Sequence, residues 1–166
     1  SRVASNHEGL TLSRSAEAEL KRSSVSNNGD GISLFGSADL TVKNGKVLKN
    51  KRNGVKLVHS ASATMESAAI VGNSGRGLVL LDSSLARVGK SEIRQNDIGL
   101  SYHSGGELEL NENTVAENRV DLIGDLNGSV RQGSGAPTEE EIVLPDEEYP
   151  DLQAAVDALL PGGTVI

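Results

Sequence analysis

The sequence predicts an all-β fold in which the chain winds into about six stacked coils, and three observations lead to this prediction. A Val or Ile stands three residues before an Asn six times, with a period of 22 or 23 residues. Further apolar columns recur at fixed distances from a Gly that follows the Asn. The chain contains 2% aromatic residues, no Cys and no Trp, so a core built around large rings is not expected. Repetition at such a period is typical of solenoids.

The Asn column is the most regular of these features. Its members are Asn6, Asn28, Asn50, Asn73, Asn96 and Asn118. Because Asn tolerates a left-handed backbone and stacked amides can form hydrogen bonds, the column predicts a structural asparagine ladder at one corner of each coil. Five units carry a Gly three or four residues later, which we interpret as a second position with unusual backbone angles. Asp121 takes that place in the sixth unit.

Three short strands are predicted in each coil. Apolar residues alternate one and three positions after the Gly, as in Leu78 and Leu80, and again nine and eleven positions after it, as in Ala86 and Val88. The Val or Ile of the next unit follows 16 residues after the Gly in every case and marks the third strand. Identical columns can therefore stack at the strand spacing of ~4.8 Å, so that backbone groups pair with the coils above and below.

Residues 25–34 and 70–80 place Val or Ile, Asn and Gly in this order, followed by two apolar residues at alternate positions. This pattern resembles the right-handed parallel β-helix repeat of pectate-lyase-like folds, over residues 1–132. The resemblance implies a single-stranded right-handed parallel β-helix, an extracytoplasmic location (secreted, periplasmic or cell surface) and a polysaccharide as the expected partner. The Gly-His-Gly motif of galacturonan hydrolases and the Asp-Pro-His-Glu motif of alginate epimerases are missing. A non-catalytic scaffold or carbohydrate-contacting module of a larger extracytoplasmic protein is therefore favoured over an enzyme.

A face of acidic residues suggests an enzyme as the alternative function. Acids occupy outward positions of one predicted strand per coil: Glu17, Glu19, Asp39, Glu107 and Glu109. Two carboxylates two residues apart on a strand lie ~6.5–7 Å apart, a separation compatible with acid–base cleavage of a glycosidic bond. Glu107 and Glu109, with Arg87 one coil away, are then the candidate catalytic residues of a polysaccharide lyase or glycoside hydrolase fragment. The competing and favoured interpretation is a solvated charged face in which Arg87 pairs with Glu109 across the strands.

The remaining side chains give few signals for ligands. His59 and His103 fall two coils apart, ~9–10 Å, too far to share one metal ion with each other, and His7 belongs to the first unit. No metal or cofactor site is predicted. A column four residues after the Gly contains Phe35, Val58 and Leu81, which predicts either buried corner filling or an exposed apolar stripe for a partner.

Charge and hydropathy narrow the partners. The first 130 residues hold 15 basic and 15 acidic side chains, and this balance argues against nucleic acid or an anionic membrane surface. No apolar run is long enough for membrane insertion. The open ends of a coil stack would allow end-to-end self-association.

The C-terminal part differs in composition from the repeats. Residues 133–141 predict a flexible acidic linker that includes "GSGAP". Residues 142–166 predict a strand, an amphipathic capping helix and a second strand docking on an end of the β-helix. The helix begins at Pro150, ends at Gly162 and presents one apolar face: Tyr149, Leu152, Ala155, Val156 and Leu159.

This C-terminal segment also resembles the capping helix and first strand that open many β-helix domains. We expect it to fold back on the N-terminal end of the same solenoid, with residues 164–166 pairing beside the first coil. Two other arrangements are that it begins a following β-helix or caps a neighbouring molecule.

Overall fold

The structure, a computed structural model, describes residues 1–103, 105–124, 129–133, 141–142 and 164–165. Through residue 133 the chain winds through six coils of three strands each. The first strands are β1 (Arg2–Ala4), β4 (Ser24–Ser26), β7 (Lys46–Leu48), β10 (Ala69–Val71), β13 (Glu92–Arg94) and β16 (Thr114–Ala116). The second strands are β2 (Glu8–Leu12), β5 (Asp30–Leu34), β8 (Val55–Leu57), β11 (Arg76–Leu80), β14 (Ile98–Tyr102) and β17 (Val120–Gly124). The third strands are β3 (Glu17–Lys21), β6 (Asp39–Lys43), β9 (Ser62–Glu66), β12 (Leu85–Gly89), β15 (Glu107–Asn111) and β18 (Ser129–Gly133).

Each strand pairs in parallel with the equivalent strands of the adjacent coils, which produces three sheets. The register follows the sequence repeat, so that Ala86 lies between Ala63 and Leu108 in the third sheet. In the first sheet Ile70 likewise lies between Val47 and Ile93. The predicted all-β solenoid of about six coils with three strands per coil is therefore confirmed.

The core is a stack of aliphatic side chains inside the three sheets. Residues at the alternating inward positions have essentially no exposed surface: Ile32, Leu34, Leu40, Leu57, Leu78, Leu80, Ile93 and Leu108. Burial of one such side chain contributes about 1.5–3 kcal/mol relative to its exposed state. In the first coil Leu10 and Leu20 are half-buried, because they have a neighbouring coil on one side only. Stacking of coils is therefore what completes the core.

Each coil turns at three corners, and most corners contain one residue with a positive φ angle. The first corner, between the first and second strands, has Ser5, Asn27, Lys49, Gly72, Gln95 and Glu117 in this conformation. The second corner has Arg14, Gly36, His59, Asp82 and Gly105, and the third corner, which leads to the next coil, has Arg22, Asn44, Ser67, Lys90 and Glu112. The left-handed residue of the first corner precedes each ladder Asn by one position. The expectation that the ladder Asn residues themselves are left-handed is wrong.

The Gly column also has a different cause from the one expected. Gly77 lacks a positive φ, but a Cβ atom there would lie 2.7 Å from the carbonyl oxygen of Gly99 and 2.8 Å from Nδ2 of Asn96. The equivalent Gly54 is hindered in the same way by Gly77 and Asn73. Glycine is therefore needed for space, because the ladder amide of the next coil packs directly against this backbone.

Two short strands extend the third sheet beyond β18. They are β19 (Glu141–Ile142) and β20 (Thr164–Val165). β20 pairs antiparallel with β18, with Val165 opposite Val130, and β19 pairs parallel with β20. The expectation that residues 164–166 pair beside the first coil is therefore wrong. β18 and β3 lie at opposite ends of the coil stack, so the residues after Gly133 reach the edge of β18 without spanning the stack.

The predicted capping helix lies outside the described residues, as does the predicted linker apart from Gly133 and Glu141. The domain boundaries at residues 132, 133–141 and 142–166 therefore stay predictions. Among the described residues, none forms a helix with the length and apolar composition needed to cross a lipid bilayer.

Candidate functional site

The asparagine ladder is a polar network that runs through all six coils, and Asn73 illustrates its geometry. Oδ1 of Asn73 accepts hydrogen bonds from the backbone N–H (3.0 Å) and Nδ2 (2.9 Å) of Asn50. Its Nδ2 donates to Oδ1 of Asn96 (2.9 Å) and to the carbonyl oxygen of Val47 (3.3 Å). The interior ladder residues are almost fully buried, with 0–4% of their surface exposed: Asn28, Asn50, Asn73 and Asn96. The ladder thus satisfies backbone and side-chain groups that water cannot reach.

The two ends of the ladder differ. Asn6 is exposed, and its backbone N–H donates to Oδ1 of Asn28 at 3.0 Å. At the other end, Oδ1 of Asp121 accepts hydrogen bonds from the backbone N–H (3.3 Å) and Nδ2 (2.8 Å) of Asn118. This oxygen takes the place that the next ladder Asn would supply. The sequence shows that Asp121 replaces the column Gly, but its role as a ladder terminus is visible only in the structure.

The candidate catalytic pair lies on the outer face of β15. Glu107 is exposed and Glu109 is half-buried, and they alternate with the inward-facing Leu108 and Leu110. Arg87 on β12 is the in-register neighbour of Glu109. The guanidinium contacts both carboxylate oxygens of Glu109, with Nε–Oε2 at 2.7 Å and Nη2–Oε1 at 3.4 Å. The structure therefore contains the cross-strand ion pair that the sequence offered as the alternative to catalysis.

The other acids of the predicted face lie elsewhere on the third sheet. Glu17 and Glu19 are on β3 and Asp39 is on β6, three or four strands from β15. A hydrogen bond from Lys21 holds the pKa of Glu19 below its usual value. Ser62 donates a hydrogen bond to the Asp39 carboxylate. The structure thus keeps Glu107 and Glu109 together but separates them from the remaining acids.

The histidines do not form a cluster. His7 and His59 are exposed, and the backbone N–H of His59 donates to the Asp82 carboxylate at 3.1 Å. His103 is half-buried, with Nε2 located 2.9 Å from Oγ of Ser101. Within the part of the chain that the structure describes, no group of three or more His, Cys, Asp or Glu side chains is arranged to hold a metal ion.

The apolar column that directly follows the second strands is intermediate between the two predictions made for it. Phe35, Val58 and Leu81 are each half-buried, so they are neither corner filler nor a fully exposed stripe. The Lys56 ammonium group lies 6.0 Å from the centre of the Phe35 ring, within cation–π range. Lys56 therefore lies close to the Phe35 ring.

A feature that the sequence analysis missed is the uneven charge along the solenoid. Residues 1–65 hold ten basic and five acidic side chains, a net charge of +5, whereas residues 66–124 hold five basic and nine acidic side chains, a net charge of −4. Summing over the whole repeat region hides this difference. Since the coils follow one another along the axis, the first three coils form a positive half and the next three a negative half.

The positive half contains two adjoining surface grooves at the third corner. One groove of about 340 Å³ is lined by Lys21, Arg22, Lys43 and Asn44. The other, of about 330 Å³, is lined by Ser1, Arg22, Ser23, Ser24, Asn44 and Lys46. Both grooves are lined by Arg22 and Asn44, so they adjoin at these residues, and together we call them the depression. We call the set Lys21, Arg22, Lys43, Asn44 and Lys46 the basic corner.

Comparison with known proteins agrees with the geometry. The family model described as the right handed beta helix region matches residues 1–128, and the chain belongs to this family. Among solved structures, the chain is similar to the periplasmic alginate epimerase AlgG (TM-score 0.58, 15% identity, 78% of this chain and 37% of that chain). A double mutant of the same epimerase gives a TM-score of 0.60 and 16% identity over 75% of this chain and 35% of that chain.

At this level of identity the similarity shows the fold alone. The chain spans little more than a third of the length of these structures. No curated protein matches the sequence.

Proposed function

We propose that the chain is a non-catalytic β-helix module that contacts polysaccharide as part of an extracytoplasmic protein. The fold neighbours that support this proposal are described as a periplasmic alginate epimerase, so a polysaccharide partner and an extracytoplasmic location are consistent with them. The observation that carries the non-catalytic assignment is the two-point ion pair between Arg87 and Glu109.

That ion pair matters because glycosidic bond cleavage by two carboxyl groups needs one of them to donate a proton. Both carboxylate oxygens of Glu109 are engaged by the Arg87 guanidinium, so contact of this group with a glycosidic oxygen would require the ion pair to break. Glu107 is exposed on the same open strand face. An arrangement of this kind suits a solvated surface that stabilises the coil stack and lies against a bound polymer.

The proposal is tested by measuring binding and turnover separately. A glycan array of neutral and acidic polysaccharides should show binding, and reducing-end and unsaturated-product assays on the same polymers should show no depolymerisation.

The contrary result would be turnover that is lost in Glu107→Gln and retained in Glu92→Gln, an exposed acid on the first sheet. That result would establish the alternative function, a polysaccharide lyase or glycoside hydrolase that uses Glu107 and Glu109. An array on which no polysaccharide binds would overturn the proposal as well.

A further inference from the structure

We infer that the basic corner binds the carboxylate groups of an acidic polysaccharide, an inference that rests on the proposed function and gives it a location and a ligand class. The site lies at the third corner of the first coils, whereas Glu107 and Glu109 lie on the outer face of β15. Four cationic side chains converge here from two successive corners.

The first argument is electrostatic. Lys21 and Lys43 are in-register neighbours on β3 and β6, and like charges in that arrangement destabilise a sheet. Glu19 compensates in part, with carboxylate oxygens 2.8 Å from Nζ of Lys21 and 3.8 Å from Nζ of Lys43. No ion pair joins Arg22 or Lys46 to an acid within the described residues. The corner therefore keeps three positive charges in excess of Glu19, and an anionic ligand would neutralise them.

The second argument is the shape and lining of the depression. It crosses two corners, and every residue of the basic corner is exposed. Such a surface suits a chain lying across it better than a compact molecule that needs an enclosing pocket. The side-chain amide of Asn44 and the hydroxyl group of Ser24 lie beside the cations, and both can donate to and accept from sugar hydroxyl groups. The hydroxyl group of Ser23 donates to the carbonyl oxygen of Lys21 at 2.9 Å and can still accept a hydrogen bond. Cations and neutral polar groups together match a polymer that carries both carboxylates and hydroxyls.

The same lining disfavours other polyanions. Neither groove is lined by an aromatic residue, so single-stranded bases would have no ring on which to stack. The four cations are few for a duplex, which carries about one negative charge per 1.7 Å of helix axis. A polysaccharide with about one carboxylate per sugar needs only a few contacts with the corner.

The test uses the full chain, two polymers and two matched double variants. Polygalacturonate and its fully methyl-esterified form share a backbone and differ in the carboxylate charge. Arg22→Gln/Lys46→Gln removes two cations from the basic corner, and Lys49→Gln/Lys51→Gln removes two exposed cations outside it. Each pair includes one left-handed residue, Arg22 (φ 47°) or Lys49 (φ 52°), so the two variants make the same demands on the backbone.

Binding is measured by isothermal titration at low ionic strength, where screening is weak. We expect the protein to bind polygalacturonate but not the ester. The basic-corner variant should bind about tenfold more weakly, a loss of about 1.4 kcal/mol. The control variant should stay within about twofold of the unmodified chain.

Each other outcome overturns the inference in a distinguishable way. Equal weakening in both double variants would show that net charge, not the basic corner, controls binding. Equal binding of the methyl ester would show that the carboxylate is not recognised, but the proposed function as a polysaccharide-contacting module would stand. Binding of duplex DNA that is as tight, and as sensitive to Arg22→Gln/Lys46→Gln, would assign the corner to nucleic acid. Failure of both polymers here and of every polysaccharide on the array would remove the proposed function too.

Discussion

The first and third corners turn the chain with the same backbone device but differ in what their side chains do. Both place a left-handed residue in nearly every coil, and lysine occupies that position at each corner, as Lys49 and Lys90. At the first corner of the interior coils the following Asn is buried, whereas at the third corner of the first coils the side chains line open grooves. A left-handed turn therefore does not require Asn. Buried donors and acceptors between stacked coils require a polar side chain as partner, and Asn supplies it at the first corner.

The third corner itself supports this conclusion further along the chain. The backbone N–H of Ala68 donates to Oγ of Ser91 at 2.9 Å, and the backbone N–H of Ser91 donates to Oδ1 of Asn113 at 2.9 Å. Nδ2 of Asn113 donates to the carbonyl oxygen of Val88 at 2.7 Å. A short ladder thus appears at the same corner where the side chains are polar and turned toward the neighbouring coil.

The strongest test of the ladder is Asn73→Ala. The substitution removes four hydrogen bonds, two from Asn50 to Oδ1 of Asn73 and two from Nδ2 of Asn73 to Oδ1 of Asn96 and the carbonyl oxygen of Val47. The buried backbone N–H of Asn50 loses its acceptor, so we expect a loss of about 3–6 kcal/mol in the free energy of unfolding. Asn6→Ala at the exposed end should cost less than about 1 kcal/mol. Denaturant unfolding measures both. Equal midpoints for the two variants would mean that burial in the ladder has no energetic role.

Leu80→Ala should be next in size, because it removes a fully buried side chain from the core of the fourth coil. We expect a cost of about 2–5 kcal/mol, made up of lost burial and the cavity left behind. Arg87→Ala on the outer face of the third sheet should cost under about 1 kcal/mol, since an exposed ion pair contributes little. A reversed order in chemical denaturation would contradict the inward and outward assignment of the two sheets.

Two glycines are needed for different reasons, Gly77 for lack of space and Gly72 for its positive φ angle. Gly77→Ala should cost about 1–3 kcal/mol, because its Cβ meets the carbonyl oxygen of Gly99 and the amide of Asn96. Gly72 has a φ of 69° and a surrounding that admits a Cβ, so Gly72→Ala should cost about 1 kcal/mol. Gly72→Asn should recover part of that loss, since Asn tolerates this conformation. Thermal unfolding measures the stability of the three variants. If Gly72→Ala had the lowest unfolding midpoint, crowding at Gly77 would not be the larger of the two effects.

A smaller effect is expected where the ladder ends. Asp121→Ala removes the acceptor of two hydrogen bonds from Asn118 and should cost about 1–2 kcal/mol. Asp121→Asn retains an oxygen in the same place and should be close to the unmodified chain at neutral pH. If both substitutions reduce the unfolding midpoint equally, the negative charge rather than the acceptor position stabilises the terminus.

The smallest effect concerns the exposed side of the first corner. Arg119 donates to Asp97 across adjacent coils at 2.5 Å, and this hydrogen bond lowers the pKa of that carboxyl below its ordinary value. Because the folded-state pKa is the lower one, the pair stabilises the fold above the unfolded-state pKa, and this contribution is lost as the pH falls through the folded-state value. Asp97→Asn should therefore reduce the dependence of the unfolding midpoint on pH below about 4. If the unfolding midpoint of Asp97→Asn fell at acidic pH as much as that of the unmodified chain, the ion pair would not contribute to stability.

Much of the fold was predictable because a repeat supplies its own alignment. The constant separation between Gly77 and Ile93, repeated in each unit, is enough to assign strands, register and inward columns. The cross-strand contact of Arg87 with Glu109 follows from the same register. In a stack of coils, residues one repeat apart in sequence are neighbours in space. Aligned columns in the sequence therefore predict tertiary contacts.

The remaining features depend on side-chain positions that columns do not encode. Polar residues occupy both adjacent positions of the first corner. The sequence therefore could not show that Lys49, rather than Asn50, has the left-handed backbone conformation. The crowding around Gly77 depends on the packed position of the Asn96 amide in the next coil. The basic corner was missed because its cations come from two successive coils and are diluted in a sum over the whole repeat. The pairing of Val165 with Val130 could not be inferred, since reach alone admits either end of the stack.

The carboxylate of Asp121 has a consequence for engineering the number of coils. An interior unit both presents an amide to the preceding coil and, through its glycine, makes room for the amide of the following one. Such a unit is interchangeable, so duplication of residues 70–92 should lengthen the rod by one pitch without new interface chemistry. A unit added directly after Asp121 has no such freedom, because its amide would compete with the carboxylate already bonded to Asn118. Aspartate in place of glycine therefore terminates the ladder. Asp121→Gly would be the first substitution needed to add a coil after it.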